Sequence, residues 1–162
     1  IRPAAAAAAC CAELGRAAYT PGRIIWKQPW VSDDLATPAA QPQPPRGWTL
    51  AKLLGEIQCN LYVGLLRFRR GERQAAAREV QLYAVDRLLQ LAATMEPEGA
   101  TAADPFAPAR RFEQRHPQFA AHLPDFQQGY DRTPESAAAI LDFLSARFEL
   151  NAGMVAAVRE LL

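Results

Sequence analysis

The stretch RRFEQRH, residues 110–116, places Arg111 five positions before His116. This pair has a useful chemistry, because a guanidinium stabilises a phosphate while an imidazole transfers a proton. A structural interpretation competes with it. Pro117 follows the histidine and ends the helix, and a histidine favours the negatively charged C-terminal end of a helix. We favour the structural interpretation and keep Arg111 and His116 as an alternative site.

A second set of candidates lies within two long predicted helices. Any of these polar side chains that faces the interior needs a partner. Polar groups between long helices form either a structural network or the wall of a small-molecule site, and periodicity alone does not distinguish the two. We take the following as candidate substrate-binding residues: Glu56, Asn60, Arg78 and Asp86.

No catalytic residue and no metal site are predicted. His122 has no cysteine or carboxylate at the spacing of a metal ligand. Asp33 and Asp34 are adjacent, so on a strand they would point to opposite faces, whereas carboxylates that share Mg²⁺ alternate. The phosphate-binding patterns GxxxxGK[ST] and GxGxxG and the nucleophile pattern GxSxG do not occur.

Composition excludes some classes of partner. The 162 residues carry 18 basic and 17 acidic side chains, a net charge of +1, so no dedicated binding to nucleic acid is expected. No apolar run reaches the roughly 18 residues of a membrane helix, so no membrane partner is expected. Three cysteines without a CxxC spacing indicate reduced thiols and a cytoplasmic protein. The first residue is Ile1, which we interpret as the start of a piece of a longer protein.

The elements that must position these residues are mainly helical. Apolar stripes predict helices near 48–70 and 73–95, antiparallel across Gly71, and a further helix near 134–148. Cap and proline signals predict short helices over 105–115 and between Pro117 and Pro124, and Asn151 is expected to cap a last helix. The stretch FRRGER, residues 68–73, is either an arginine-rich binding site or the turn of this hairpin. Helix-end electrostatics favour the turn.

The predicted fold is therefore a mainly α helical bundle built on a long antiparallel hairpin, with a short N-terminal strand left over from a mixed α/β domain. Residues 1–30 are expected to hold a helix over 4–16 and an edge strand at 23–28 that pairs outside this chain. Residues 31–46 are proline-rich and predict a linker. Residues 47–162 form the bundle.

The order of features resembles the C-terminal half of bacterial nucleotidyltransferases of the aminoglycoside and lincosamide resistance type. The resemblance covers roughly residues 15–162 and runs through four stretches: PGRIIWKQ, WTLAKLLGEIQCNLYVGLLRFRRGE, AAAREVQLYAVDRLLQL and ARRFEQRHPQFAAHLP. It implies a substrate-side helical domain of a protein that transfers a nucleoside monophosphate to a small hydroxylated acceptor. Mg²⁺ and a nucleoside triphosphate are implied only for the full-length family, and no cofactor for this chain.

The chain departs from that family in its catalytic part. The Gly-Ser…Asp-x-Asp signature that binds Mg²⁺ and nucleotide is absent, and Lys27 stands where an acid often follows the terminal strand. The resemblance implies a wall for the acceptor and a contribution to a homodimer. Two alternatives stay open: a nucleotide-binding helical domain of the RNase toxin or antitoxin type, which uses an arginine and a histidine at the spacing of Arg111 and His116, and a helical interaction module without catalysis.

Overall fold

A computed structural model of the chain describes residues 21–37, 48–97, 99, 104, 107 and 109–162. The chain divides into two compact units, Ile1–Gly47 and Trp48–Leu162. The predicted helix over 4–16, the linker residues 38–46 and most of the predicted helix before residue 109 lie outside the described residues.

Within the first unit, residues 21–37 form loops and one short 3₁₀ turn. The turn, Asp33–Ala36, is capped by Ser32, whose hydroxyl accepts from the backbone N–H of Asp34. The edge strand predicted at 23–28 is not formed, and Ile25 and Trp26 are 89% and 76% exposed. A strand needs a neighbour to accept its backbone hydrogen bonds, and the described residues offer none here.

The second unit is built on a helical hairpin. Helix α1, Leu50–Arg69, begins at Thr49, whose side chain accepts from the backbone N–H of Lys52 at 3.3 Å. Gly71 turns the chain with a φ of 81°, a left-handed conformation that glycine adopts at little cost. The second arm consists of α2, Arg73–Ala77, a π-helical segment, Arg78–Ala84, and α3, Val85–Met95. The predicted hairpin across Gly71 is confirmed.

The two arms approach most closely where Gly64 lies against the π-helical segment. A Cβ atom added to Gly64 would lie 2.6 Å from Cγ2 of Val80 and 3.1 Å from Cβ of Glu79. Both distances are shorter than ordinary van der Waals contact, so only glycine fits at this point of α1 without displacing its neighbours.

In the part of the second unit that the structure describes, five further α-helices follow. They are α4, Phe112–Arg115; α5, Pro117–Ala120; α6, Leu123–Phe126; α7, Thr133–Ser145; and α8, Ala152–Leu161. Helix α4 begins directly after Arg111, whose positive φ of 57° is not helical, and most of the predicted helix before it lies outside the described residues. Helix α7 ends at Ser145, earlier than predicted. The expected cap of α8 is confirmed: the Asn151 side chain accepts from the backbone N–H of Met154 at 3.0 Å.

One glutamine fixes the connection between α6 and α7. The side chain of Gln81, in the π-helical segment, donates to the carbonyl of Gly129 at 2.8 Å and accepts from its N–H at 2.9 Å. It also lies 3.0 Å from the hydroxyl of Thr133. The loop before α7 is thus held against the hairpin by several bonds from one side chain.

The core lies where α1 contacts the second arm of the hairpin, α7 and α8. Its largest fully buried apolar side chains come from these elements and from α6: Ile57, Leu61, Leu65, Val80, Leu88, Leu91, Phe126, Ile140, Leu141, Leu144 and Val158. The predicted mainly α bundle is confirmed. None of the described helices combines the length and apolar character that a membrane-spanning helix requires.

Candidate functional site

The four predicted substrate-binding residues are divided between the two arms of the hairpin. Glu56 and Asn60 are half-buried, one turn apart on α1, whereas Arg78 and Asp86 are exposed on the second arm. Arg78 donates to the hydroxyl of Tyr83 at 2.7 Å. Among the described residues no hydrogen bond or ion pair joins any two of these four. They stay predictions.

The alternative pair Arg111 and His116 is also not assembled on one surface. Arg111 is exposed at the start of α4, whereas His116 is 1% exposed. The imidazole packs against the Phe112 ring, with 5.0 Å between centroids, and its Nδ1 lies 3.6 Å from Oε1 of Glu96. The imidazole is therefore not open to a substrate phosphate at the surface.

The first arginine of FRRGER stabilises the end of another helix. Arg69 donates through Nη2 to the carbonyl of Glu160 at 2.7 Å and through Nε to the carbonyl of Leu161 at 3.1 Å. These carbonyls belong to the last turn of α8, where no intrahelical donor follows. A cation at a helix C-terminus also interacts favourably with the helix dipole.

The other charged side chains of the turn are paired as well. Nε of Arg70 lies 2.8 Å from Glu72, and Nη1 of Arg73 lies 2.6 Å from Asp131. The hydrogen bond from Arg70 is the main reason why the pKa of Glu72 is lowered, and the same bond raises the pKa of Arg70. Every charge of FRRGER therefore has a structural partner, and this geometry favours the turn interpretation.

A small pocket of about 120 Å³ lies elsewhere in the second unit, at the end of α3. Four segments form its wall: the end of α3, helix α5, the start of α6 and the end of α7. Its lining residues are Met95, Glu96, Gln118, Phe119, His122, Phe143 and Arg147. A carboxylate, an amide, an imidazole and a guanidinium thus meet around aromatic rings.

Aromatic packing holds this pocket in place. The ring of Phe143 lies edge-on to Phe119, with centroids 5.5 Å apart, and to Phe126, at 5.1 Å. The His122 imidazole lies 4.9 Å from the same ring. Edge-to-face pairs at these distances are favourable beyond the area they bury. Phe143 is therefore the centre of a rigid aromatic floor.

Arg147 is positioned by the same phenylalanine. Its guanidinium carbon lies 3.9 Å from the centroid of the Phe143 ring, and its Nη1 donates to the Phe143 carbonyl at 3.1 Å. The ring face attracts the cation, and the hydrogen bond fixes the plane of the guanidinium. Among the described residues no carboxylate pairs with Arg147, so its other N–H groups are available to a ligand.

Glu96 presents the opposite charge. The side chain is 10% exposed, and its Oε1 lies 3.5 Å from the backbone N–H of Phe119 and 3.6 Å from Nδ1 of His116. In the part of the chain that the structure describes, no group is bonded to Oε2. Glu96 and Arg147 line the same pocket, yet no ion pair joins them.

Sequence reasoning missed this pocket. The sequence raises His122 only as a possible metal ligand, and no pattern in it marks Glu96, Gln118 or Arg147. The residues come from four segments, and no spacing in the sequence predicts their convergence. The one usable signal is that the two histidines of the chain lie close to each other in a segment that also carries three phenylalanines.

Comparison with known proteins adds no relative: no protein-family model, no curated protein and no solved structure matches the chain. Within the described ranges, no group of three or more histidine, cysteine, aspartate or glutamate side chains has the arrangement to hold a metal ion. The function is therefore argued from the pocket and from the resemblance in the sequence.

Proposed function

We propose that residues 48–162 are the substrate-side helical domain of a nucleotidyltransferase-like protein, and that the pocket beside Glu96 receives part of the acceptor. One observation carries this proposal. A carboxylate and a guanidinium of the same small pocket have not been paired with each other, and each retains polar atoms for a ligand. The charged side chains of FRRGER, in contrast, all have partners within the protein.

The size of the pocket supports an acceptor rather than a nucleotide. Sites for drug-sized ligands measure about 300–1,000 Å³. The pocket of about 120 Å³ accommodates a small molecule or one end of a larger one. A triphosphate also requires several cations or Mg²⁺ to offset its charge, and Arg147 is one cation.

We propose that the whole protein includes more than this chain. That protein would transfer a nucleoside monophosphate to a hydroxyl of the acceptor, and it would bind Mg²⁺ and the nucleoside triphosphate outside the bundle. A homodimer and a cytoplasmic location belong to the same proposal. We accordingly expect residues 1–162 alone to bind acceptor and to show no transfer from ATP in the presence of Mg²⁺.

The two alternatives differ in what they require of the pocket. An RNase that uses Arg111 and His116 requires an accessible imidazole, and the burial of His116 disfavours it. An interaction module without catalysis requires no small ligand at all. Binding of a small molecule to the pocket therefore separates our proposal from both.

The test is a titration of ¹⁵N-labelled residues 1–162, followed by NMR, with three hydroxylated amines as probes: kanamycin, lincomycin and L-serine. We expect at least one probe to shift the backbone signals of Phe119, His122 and Phe143. The signals of Glu56 and Arg78, which lie outside the pocket, serve as internal controls. Absence of saturable shifts with all three probes, or shifts confined to Glu56 and Arg78, would overturn the proposed site.

A further inference from the structure

The most informative feature of the pocket is a pair of opposite charges that do not neutralise each other. Glu96 and Arg147 both line it, and no ion pair joins them. Glu96 is largely removed from bulk water, where an uncompensated charge is costly, whereas Arg147 is exposed and oriented by Phe143. A ligand that carries both signs would compensate both side chains at once.

Glu96 is suited to a cation. Only a tenth of its side chain is exposed, so its carboxylate is largely removed from bulk water. Its Oε1 already faces the N–H of Phe119 and the ring of His116, which fixes the orientation of the carboxylate. Oε2 has no bonded partner in the described part of the chain. A protonated amine in the pocket would provide that partner in a charge-assisted hydrogen bond.

Arg147 is suited to a carboxylate. Stacking on Phe143 and the bond from Nη1 to the Phe143 carbonyl hold its guanidinium in one orientation. The planar guanidinium recognises a carboxylate through two parallel N–H bonds, and preorganisation lowers the entropy lost on binding. His122 and Gln118 supply further polar groups at the same wall.

We propose that the group which enters this pocket is zwitterionic, with a protonated amine bound by Glu96 and a carboxylate bound by Arg147, as in a small α-amino acid. This inference rests on the proposed function, since it names the chemistry of the acceptor at the same site. The small volume of the pocket favours an amino acid with a short side chain. A hydroxylated amino acid combines this zwitterion with the hydroxyl that a nucleotidyl transfer requires.

Three matched probes test the proposal by calorimetry on residues 1–162. L-Serine carries amine, carboxylate and hydroxyl; ethanolamine lacks the carboxylate, and glycolate lacks the amine. We expect serine to bind at least about tenfold more tightly than either fragment, because each fragment can bond to only one of the two charged side chains.

Two charge-neutralising variants assign the contacts. Glu96→Gln is expected to weaken the binding of serine and ethanolamine at least about tenfold and to leave the binding of glycolate nearly unchanged. Arg147→Gln is expected to weaken the binding of serine and glycolate and to leave the binding of ethanolamine nearly unchanged. Glu149→Gln and Arg132→Gln remove exposed charges that do not line the pocket, so they should bind all three probes as the native chain does. Circular dichroism of each variant checks that the fold is retained.

Arg147→Lys keeps the charge and removes the bidentate geometry. It is expected to bind serine less tightly than the native chain and more tightly than Arg147→Gln. This second variant keeps the test valid if Arg147→Gln disturbs the helix end.

The outcomes separate the two proposals. If ethanolamine or glycolate binds as tightly as serine, or if Glu96→Gln or Arg147→Gln binds serine normally, the proposal of a zwitterionic ligand is wrong. The proposed function stands in that case if a probe still shifts Phe119, His122 and Phe143. If serine, ethanolamine, glycolate, kanamycin and lincomycin all fail to bind, both proposals are wrong.

Discussion

The turn at residues 68–73 and the pocket beside α3 both concentrate charge, and they use it differently. In the turn, Arg69 bonds to the last carbonyls of α8, Arg70 pairs with Glu72, and Arg73 pairs with Asp131. In the pocket, Glu96 and Arg147 line one small cavity without pairing. The clustering of charge in the sequence suggests a binding site at the turn. The absence of an ion pair between Glu96 and Arg147 in the structure suggests a binding site at the pocket instead.

This difference teaches which charges to expect in a ligand site. A charged side chain at a helix end finds acceptors or donors that the helix itself leaves unsatisfied, so its presence is explained without a ligand. Arg147 is exposed, stacked on Phe143 and without a carboxylate partner among the residues that the structure describes, so its guanidinium is held in one orientation and stays accessible to a ligand. If the charges of the turn are structural and those of the pocket bind a ligand, changes in the hairpin alter stability and leave binding intact, whereas changes in the pocket alter binding.

The largest effect on stability is expected from Gly64→Ala in the hairpin. The added methyl would overlap Cγ2 of Val80 at 2.6 Å, and overpacking of this kind costs about 1–3 kcal/mol. Gly55→Ala is the matched control in the same helix, because nothing lies within 4 Å of a Cβ atom at that position. Alanine should stabilise the helix there by up to about 1 kcal/mol.

Urea unfolding of the two glycine variants measures this difference. A lower midpoint for Gly64→Ala and an equal or higher midpoint for Gly55→Ala are expected, with the probe that binds the pocket still bound by both. Equal midpoints for the two variants would mean that the arms of the hairpin are not packed as closely as the structure shows.

A smaller effect is expected from Arg69→Ala. The variant leaves the last carbonyls of α8 without their donor and removes a cation from the negative end of that helix, which together are worth about 0.3–1 kcal/mol. Arg70→Ala should cost less, because Arg70 bonds to an exposed glutamate rather than to a helix end. Chemical denaturation ranks the two. If Arg69→Ala instead abolishes ligand binding at native stability, the turn is a binding site and the comparison fails.

The hairpin was predictable because its determinants are local. An apolar stripe on each side of Gly71, the capping Thr49 and the capping Asn151 all act within a few residues of where they stand. The partner of Arg69 was not predictable, because Glu160 lies 91 residues further along the chain. Helix-end electrostatics predict that the arginine stabilises the end of its own helix, whereas the structure shows it bonded to the end of another helix.

The pocket was not predictable for a related reason. Glu96 and Arg147 lie just beyond the ends of α3 and α7, and they meet only because those helices pack in the same bundle. Periodicity identifies residues on the face of a helix, so it drew attention to Glu56 and Asp86 instead. The strand at 23–28 was predicted from β-prone residues, and local propensity does not supply the neighbouring strand that such a segment needs.

The smallest effect is expected from Glu72→Gln in the turn, and pH reveals it. The hydrogen bond from Arg70 is the main cause of the lowered pKa of Glu72, and the charges of Arg70 and Arg67 add to it, whereas desolvation opposes it. Since the pKa is lower in the folded than in the unfolded state, the pair stabilises the fold above the usual glutamate pKa of about 4.3. That stabilisation is lost as the pH falls through the lowered value. Glu72→Gln should therefore melt slightly below the native chain near neutral pH, and the two should converge in acid.

In an Arg70→Ala background the difference should shrink, because the main partner is gone. Thermal melts across this pH range make the comparison. A difference that is as large in acid as at neutral pH, or that persists without Arg70, would show that the charge of Glu72 has another role in the turn.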